Sequence, residues 1–546
     1  MTGRTRYLPQ EREVSFMEGN ATKQAVRVNE TVFDSAAEIP LQTDITLPDY
    51  CPDVVKILKC SLESSIRSVT AKGKKLKIKG TAVIQVLYLG QDDNKMRLSS
   101  ASAKLPFTRE LDMKGEAKEI FSFLSKKSTY CNCRAVNRRK LELQAAVTYR
   151  LCAFSTVEEK IITAALEQEE QPQGIQLRKK MYHPNSFVRQ ARQSFDVHEE
   201  LELFQDKEPI KNILSSRICP VMTNRKVISG KIITRGTLHV NILYCADGKG
   251  EDKLSRMEWK VPISVVVDAP GAEENSSCCA GYDVCEYSLT PKGDQDGESF
   301  KVELNVQGVA WAQLCCQQSI VAADDCYSTR YCCEGKSRSV NFLSLENVVE
   351  EKSLCKNDIE MPEDIEDILD VWAVVEGCST HFEEKDGEQK IVVHADIGIS
   401  VLADDKDGGY QFYDRTEGFD YTLPAKLDGL EIRRIFCPQV RVAELDYSWN
   451  KSLQIRCELE TMGCIGQLQS CKVLEDINLD TEKPVEREDG CALTLYYADP
   501  GENLWEIAKK YRTGMQPVLE SNDQLELSQE EEICQRQMLI IPISAK

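Results

Sequence analysis

Cysteines are the residues of this sequence with the widest chemical capacity, because thiolates bind metals, form disulfides and act as nucleophiles. The 546-residue chain has 23 cysteines, including the adjacent pairs Cys278-Cys279, Cys315-Cys316 and Cys332-Cys333. It has no C-x-x-C spacing and only five histidines, so we expect no metal site and no cofactor. The odd cysteine count in a long chain favours free, mostly buried thiols in a reducing compartment. Later oxidative cross-linking stays open.

Histidines are the second candidates for chemistry. His239 and His394 lie at like positions in two related strand-like stretches, where a third stretch has Val83. General acid–base catalysis needs an acid or a nucleophile close by, and the pattern shows none in the same register. We therefore expect solvent-facing strand histidines and no catalytic residue.

Sequence motifs for catalysis or ion binding are also missing. No phosphate-binding loop, serine-hydrolase elbow or zinc-protease motif occurs. The stretch ADDKDGG (403–409) is similar to half a calcium loop but has no Glu at loop position 12. We expect a polar hairpin turn there, and a chain that is not an enzyme.

The net charge of −20 is unevenly distributed, since the first 200 residues have an excess of Lys and Arg and the remainder is strongly acidic. The basic clusters KGKKLKIK (72–79) and RAVNRRK (134–140) contain no interleaved aromatic residues that could stack on bases. A solvated sheet face is therefore expected, and no nucleic-acid partner. The chain has no apolar run of about 18 residues and no apolar stretch near its start, so we expect no transmembrane segment and no secretory signal.

The elements that position these residues are repeated. At roughly 100–200 residues per domain, the length predicts three to five domains. The pairs Ile57-Leu58, Ile213-Leu214 and Ile368-Leu369 recur at intervals of 156 and 155 residues. Downstream of each pair, apolar and polar residues alternate with the period of a strand that has one face in a core. The predicted core faces are Ala82, Ile84, Val86 and Tyr88; Leu238, Val240, Ile242 and Tyr244; and Val393, Ala395, Ile397 and Ile399.

A second repeated pattern lies at the end of each unit. The strand-like stretches at 141–154, 300–314 and 453–468 are followed by EEKIITAAL, QQSIVAADD and QSCKVLEDI, which we interpret as return strands pairing with their predecessors. A short helix is expected around each Ile-Leu pair. The predicted domains are a polar segment at 1–30, repeats at 31–170, 190–335 and 345–480, a linker at 481–491 and a small C-terminal domain at 492–546. The fold class is therefore multidomain and mainly β, with a small α+β (βααβ) domain at the end.

The repeats resemble the SPOCS domain of spore coat proteins in endospore-forming bacteria. The resemblance rests on AEIPLQTDITLPDYCPDVVKIL with IKGTAVIQVLYLG, and on HEELELFQDKEPIKNIL with TRGTLHVNILY. It extends over most of residues 30–480. The third copy is the most divergent, since it lacks the strand Gly and the terminal Tyr.

The C-terminal domain has clear signals of its own. Asn503 suits a helix N-cap, and Glu506 three residues later completes a capping-box pattern. Leu504, Ile507, Ala508 and Tyr511 follow the spacing of one helix face. Thr513-Gly514 ends this helix, MQPVLESN starts a second one, and MLIIPI (538–543) is a closing strand. The sequence predicts a strand–helix–helix–strand order.

This domain resembles the LysM family through PGENLWEIAKKY (500–511), Asn522 and RQMLIIP (536–542). LysM domains bind N-acetylglucosamine-containing glycans between two loops. The resemblance implies a groove that is formed by Pro500, Gly501, Glu502, Asn503 and Leu504 together with Ser521, Asn522, Asp523 and Gln524. Arg536 replaces a late Gly of the family pattern, which predicts a different loop, or strain if its φ is positive. Protein binding by the same fold stays an alternative.

Three SPOCS-type repeats followed by a LysM-type domain resemble spore coat morphogenetic proteins. The resemblance implies a non-enzymatic structural and interaction role in endospore coat assembly, in the cytoplasm of the mother cell at the forespore surface or in the spore coat. The implied partner is the coat-anchoring ATPase, stage IV sporulation protein A. The alternative is a peptidoglycan-binding targeting protein of the spore cortex or cell wall. The sequence leaves open the oligomeric state and the repeat face that makes contacts.

Overall fold

The computed structural model of the chain describes residues 15–18, 21–92, 95–117, 120–165, 174–182, 185–246, 253–274, 276–293, 298–317, 319–385, 388–406, 409–423, 434–450, 452–485, 493–528 and 531–542. Over these residues the fold is mainly β, with two short helices near the C-terminus. Residues 1–14 of the predicted N-terminal segment lie outside the described residues. In the predicted linker, residues 481–484 extend the last strand of the repeats, and residues 486–491 lie outside the described part.

The first repeat consists of two antiparallel sheets, one of strands β1, β2, β6 and β5 and one of β3 and β4. The strands are β1 (Ser15–Glu18), β2 (Ala21–Thr46), β3 (Asp53–Asp92), β4 (Lys95–Ala117), β5 (Ile120–Asn137) and β6 (Lys140–Ala165).

The second repeat has the sheets β11-β10-β9 and β12-β13-β8, and a ribbon of β14 and β7. Its strands are β7 (Ile175–Tyr182), β8 (Asn185–Glu202), β9 (Ile210–Ile228), β10 (Lys231–Ala246), β11 (Lys253–Asp268), β12 (Ser277–Lys292), β13 (Lys301–Gln317) and β14 (Ile320–Ser328).

The third repeat has the sheets β16-β17-β18 and β15-β20-β19. Its strands are β15 (Tyr331–Ile359), β16 (Ile365–Lys385), β17 (Glu388–Asp405), β18 (Tyr410–Leu423), β19 (Arg434–Asn450) and β20 (Ser452–Pro484). The C-terminal module follows with β21 (Leu493–Ala498), α1 (Leu504–Lys510), α2 (Met515–Glu520) and β22 (Gln537–Pro542).

Each repeat is a sandwich of its two sheets, because one face of every central strand is apolar. The predicted core residues Ile84, Val240 and Ile397 are fully buried, one in each core. In the basic stretch 72–79, Leu76 and Ile78 are buried, Lys77 between them is half-buried, and the flanking Lys75 and Lys79 are exposed. The alternation predicted from the sequence, with a solvated basic face, is therefore confirmed.

A close approach of two chain segments explains the glycine that precedes the alternating core residues in the first two repeats. A Cβ on Gly236 would lie 2.5 Å from the carbonyl oxygen of Val221 and 2.6 Å from the ring of Tyr282. A Cβ on Gly80 would collide in the same way with Ser65 and Phe107. Only glycine leaves room for the strand at these positions.

The third repeat has a different register from the one predicted. In the second repeat, Tyr244 pairs with Ile213. Counting the same interval from Ile368 of the third repeat gives Ile399 as its partner. The observed partner of Ile368 is Ala403, so the pairing of the third repeat is shifted by four residues. The hairpin of β16 and β17 is longer by those residues. Because the shift is even, the predicted core face stays buried.

The short helices predicted around the Ile-Leu pairs are wrong. The pairs lie inside β3, β9 and β16, where pairing with neighbouring strands overrides local preference. Their leucines belong to an apolar cluster between the three repeats, whose members include Leu58, Leu214, Leu369, Leu87, Leu243 and Leu402.

The predicted return strands are also wrong. EEKIITAAL continues β6 and QSCKVLEDI continues β20, and these long ends pair with β2 and β15. QQSIVAADD contains β14, which pairs with β7 rather than with β13. The apolar residues of these ends form clusters to which all three repeats contribute. Strand β15 crosses the interval that the sequence placed between the second and third repeats.

Candidate binding site in the C-terminal module

The C-terminal module is a two-stranded antiparallel sheet covered by two helices. Strand β21 pairs with β22, with Leu495 opposite Ile540. Leu504 and Ile507 of α1 are buried on the inner face of this sheet. The side chain of Asn503 accepts a hydrogen bond from the backbone N–H of Trp505 at 2.9 Å, which confirms the predicted N-cap. The predicted strand–helix–helix–strand order is observed.

The first loop of the predicted groove, 500–504, uses most of its polar groups within the module. Gly501 has a φ of +87°, and its N–H donates to the carbonyl of Ile533 at 2.9 Å. The Leu504 N–H donates to the carbonyl of Glu531 at 3.0 Å. The Glu502 carboxylate accepts from the Tyr496 hydroxyl at 2.7 Å, which lowers the pKa of Glu502. Few donors of this loop remain for a ligand.

The second loop, 521–524, is tied to the sheet by Asn522. Its Nδ2 donates to the carbonyls of Val518 and Ile540, both at 2.7 Å, and its Oδ1 accepts from the Ile540 N–H at 2.8 Å. This side chain therefore holds α2 against β22 in place of projecting toward a ligand. Asp523 and Gln524 are exposed.

A short segment, 531–533, contacts the first loop and the chain just after the second loop. Asn503 forms a β-bridge with Glu532, and Leu527 forms one with Ile533. Glu531 adopts a φ of +61° in this segment, whereas Arg536 has no positive φ and lies with its Nε 3.0 Å from Asp499 Oδ1. The late loop therefore differs from the family pattern without strain at Arg536. Loop 500–504 is therefore tied to segment 531–533, and Asn522 of the second loop is tied to β22.

An exposed apolar face covers the outer side of the β21–β22 sheet. Its members are 36–67% exposed, alternate along both strands and are Leu493, Leu495, Tyr497, Met538 and Ile540. Sequence analysis missed this face, although the period of two in both strands was a usable signal. We call these five residues the apolar face of the module.

The module is attached to the repeats by the outer side of α1. The Trp505 Nε1 donates to Asp325 Oδ2 at 2.9 Å, and the Lys509 Nζ lies 2.6 Å from the same oxygen. The Trp505 ring packs edge-on against Tyr327 with centroids 4.9 Å apart, and the Tyr327 hydroxyl donates to the carbonyl of Thr513 at 2.6 Å. The module is therefore fixed on β14.

The charge at this junction is stabilised by the module itself. Burial alone would raise the pKa of Asp325, but hydrogen bonds from Lys509 and Trp505 outweigh it and hold the pKa below its usual value. Glu506, the predicted capping-box residue, lies 3.3 Å from Arg178 of β7. Sequence analysis missed the junction, and its only signal was an aromatic residue, Trp505, outside the predicted inner face.

The strand histidines differ from the prediction in one respect. His394 Nδ1 lies 2.7 Å from Asp420 Oδ1, and its Nε2 lies 3.2 Å from Asp396 Oδ1. The expectation that no acid accompanies it is therefore wrong, and the hydrogen bond to Asp420 raises the pKa of His394. The side chain is 39% exposed, as predicted. The expected equivalence with His239 is also wrong, because the register of the third repeat is shifted by four residues.

The described cysteines are free thiols, and among them only Cys332 and Cys534 are exposed. The prediction of free, mostly buried thiols is confirmed for this part of the chain. The Sγ atoms of Cys60 and Cys131 lie 2.9 Å apart. The hydrogen bond between these two thiols raises the pKa of Cys60 and lowers that of Cys131.

Comparison with known families matches the first two repeats. The family model described as SipL, SPOCS domain, matches residues 53–134 and 209–291. The chain contains two SPOCS domains. The two matches begin with β3 and just before β9, so they fall on equivalent strands. Comparisons with curated proteins and with solved structures find no match.

The two SPOCS domains share a structural detail that explains their terminal tyrosine. The buried Tyr88 hydroxyl donates to the carbonyl of Pro52 at 3.4 Å, and the buried Tyr244 hydroxyl donates to that of Glu208 at 3.2 Å. The third repeat and the C-terminal module lie outside the matched residues. The family is a non-catalytic structural one, and the match suggests a sporulation-related protein. No helix in the described part of the chain is long and apolar enough to cross a membrane.

Proposed function

We propose that this SPOCS-domain protein is a non-enzymatic structural protein of endospore coat assembly, and that its C-terminal module is of the LysM type and binds a coat morphogenetic partner. The observation that carries the proposal is the SPOCS match in two successive repeats. The strand–helix–helix–strand order with the Asn503 cap supports the LysM assignment. The third repeat, with the same pair of three-stranded sheets as the second, is a further SPOCS-type domain in this proposal.

A protein partner is favoured over a glycan by the use of polar groups in the module. Glycan binding needs hydrogen-bond donors and acceptors that are free in the groove. Polar groups of Asn503, Asn522, Gly501 and Leu504 instead form hydrogen bonds within the module. The apolar face of the module is instead suited to a protein surface, since exposed apolar patches commonly mark interaction sites. By family resemblance the partner is the coat-anchoring ATPase, stage IV sporulation protein A.

A second candidate function is peptidoglycan binding, as a targeting protein of the spore cortex or cell wall. It is favoured by the exposed side chains of Ser521, Asp523 and Gln524 and by the exposed ring of Tyr497. Hydroxyl, carboxylate and amide groups can bind sugar hydroxyls, and an aromatic ring can cover a sugar face.

The two candidates are separated by a binding assay on the purified full chain, offered either the coat-anchoring ATPase or muropeptides. We expect retention of the ATPase, and a loss of about tenfold or more for Leu495→Asp combined with Tyr497→Ser, because interface anchors dominate affinity. Val266→Asp, at an apolar residue of β11 that is also exposed, is the control and should bind as the wild type does. Retention of muropeptides alone, abolished by Asp523→Ala with Gln524→Ala, would show that the second candidate is right.

Location provides an independent test of the coat proposal. A fluorescent fusion is expected to form a shell around the forespore within the mother cell during sporulation. Constant expression in growing cells, with diffuse fluorescence, contradicts a role in coat assembly.

A further inference from the structure

The three repeats enclose a cavity of about 730 Å³. Its lining includes residues from the same two strands of each repeat, which are β3 and β5, β9 and β12, and β16 and β19. Glu63, Cys219 and Val374 line it from equivalent positions, each six residues after the Ile of its Ile-Leu pair. The volume is in the range of small-molecule sites, roughly 300–1,000 Å³.

The cavity reaches solvent between the first and second repeats. Lys104 of β4 and Glu286 of β12 line it, form an ion pair with each other and are both about half exposed. Away from this ion pair the lining includes Phe123 and Phe436, which belong to an aromatic cluster between the repeats. A ligand could therefore enter at the charged edge and contact an apolar wall inside.

Two further charged side chains in the cavity also have partners in the protein. Arg217 Nη2 lies 2.9 Å from Asp370 Oδ2. Arg441 donates to the carbonyl of Pro220 at 3.0 Å and lies 3.8 Å from Glu460. Carboxylates already compensate the positive charges of these guanidinium groups, so the two arginines need no charged ligand.

Glu63 of β3 and Lys126 of β5 are different. Glu63 is exposed and Lys126 is half-buried, and both line the cavity. Burial raises the pKa of Glu63 and lowers that of Lys126. Among the described residues, no ion pair within 4.0 Å joins either side chain to a partner. Charged side chains that line a cavity, have shifted pKa values and lack a close ion-pair partner commonly mark a functional site.

Asp283 of β12 and Arg192 of β8 add one further charge of each sign. Burial raises the pKa of Asp283, an effect that Arg192 reduces. Arg192 Nη1 donates to the carbonyl of Arg67 at 3.0 Å, which satisfies one N–H but neutralises no charge. The cavity thus has two carboxylates and two cations that no close ion pair compensates.

We propose that this cavity binds a small zwitterion, a free amino acid or a short peptide, with its carboxylate toward Lys126 and its ammonium group toward Glu63. A bound anion would leave the carboxylates of Glu63 and Asp283 uncompensated. A bound cation would leave the positive charges of Lys126 and Arg192 uncompensated. Hydroxyl and amide groups from Ser64, Ser216 and Gln313 also line the cavity and can bind a peptide backbone. The inference does not rest on the role in coat assembly.

The test is equilibrium dialysis of the purified full chain against a protein hydrolysate of free amino acids and di- and tripeptides, with detection by mass spectrometry. The same hydrolysate with acetylated amines and amidated carboxylates is the matched control ligand set. We expect at least one zwitterionic component to be retained at about one per chain and the blocked set not to be retained, because a buried charge that loses its partner costs about tenfold or more in affinity.

Variants locate the binding. Glu63→Gln and Lys126→Met are each expected to lower retention about tenfold or more. The double variant removes both charges, so the fold should be kept, since replacing a buried pair of opposite charges by neutral groups is often tolerated. The control is Glu110→Gln with Lys75→Met, an exposed ion pair at 3.8 Å on the first repeat, which should retain the ligand as the wild type does.

Three outcomes would overturn the inference. The wild-type chain could retain no zwitterion, it could retain the blocked set equally well, or the folded double variant could retain as much ligand as the wild type. Retention of citrate in place of any zwitterion would identify an anion site and would also contradict it. Circular dichroism and the thermal midpoint of each variant show whether it is folded.

Discussion

Replacement of Asp325 by alanine is expected to release the C-terminal module from β14. The Asp325 carboxylate accepts from Trp505 Nε1 and from Lys509 Nζ. Trp505 is 2% exposed, whereas the Lys509 side chain is 34% exposed. The substitution therefore removes the acceptor of a buried indole N–H, while the ammonium group can still be hydrated.

The size of the effect follows from these two contacts. A buried donor that loses its acceptor costs about 1–3 kcal/mol. The ion pair adds only about 0.5–1 kcal/mol, because solvent screens the partly exposed Lys509. The docking free energy should fall by roughly 2–3 kcal/mol, so the undocked population should rise about 30- to 150-fold.

Hydrogen–deuterium exchange of the full chain measures this population. Peptides from α1 to Thr513 should exchange faster in Asp325→Ala, while peptides from the cores of the repeats should not change. Asp325→Asn keeps an acceptor for Trp505 and should show a smaller increase. The control is Asp268→Ala, since Asp268 is exposed at the end of β11 and distant in sequence from the junction.

The reasoning is refuted if α1 exchanges at the wild-type rate in a folded Asp325→Ala chain. Equal increases in the alanine and asparagine variants would show that the ion pair to Lys509, and not the indole hydrogen bond, dominates the junction.

The remaining predictions concern the repeats. Gly236→Ala should lower the free energy of unfolding by about 1–3 kcal/mol in urea titrations, because the new Cβ overpacks the strand. The control is Gly115→Ala, where a Cβ meets nothing within 4 Å. Equal urea midpoints for the two variants would contradict the clash at Gly236. The hydrogen bond to Asp420 raises the pKa of His394, so the stabilising effect of His394 should be complete below about pH 6.5 and vanish as the pH rises through the folded-state pKa. The urea midpoints of the wild type and of His394→Gln should therefore differ near pH 5.5 and converge near pH 9. A difference that stays constant with pH contradicts this prediction. Diamide treatment should join Cys60 to Cys131 in a disulfide detected by peptide mapping, because their Sγ atoms are 2.9 Å apart; Cys60→Ser should lack the product, and free thiols after oxidation would contradict the prediction.

The strands of the repeats could be predicted because their evidence is local. The alternation around Ile84, Val240 and Ile397 reports which face meets a core, whatever the core contains. The register of the third repeat could not be predicted in this way. It depends on the length of the β16–β17 hairpin, and an even shift of four residues leaves the alternation unchanged.

The sites were less accessible to sequence reasoning because they depend on distant parts of the chain. Asn522 has the right type and position for a ligand contact, but its bonds to Ile540 can be seen only once β22 lies beside it. Glu63, Lys126 and Asp283 each look like a solvent-facing residue of an alternating strand. They face one cavity only because three repeats close around it, and no pattern within one repeat records that packing.

The shared interior also has a consequence for how this protein can evolve. Three separate identical domains around such a space would have to present the same side chain three times, so the walls would obey threefold symmetry. A single chain is free of that restriction, and here one position is occupied by the carboxylate of Glu63, the thiol of Cys219 and the alkyl group of Val374. One mutation can change one wall of the cavity and leave the other two intact, so the walls of such a space can become asymmetric and selective step by step.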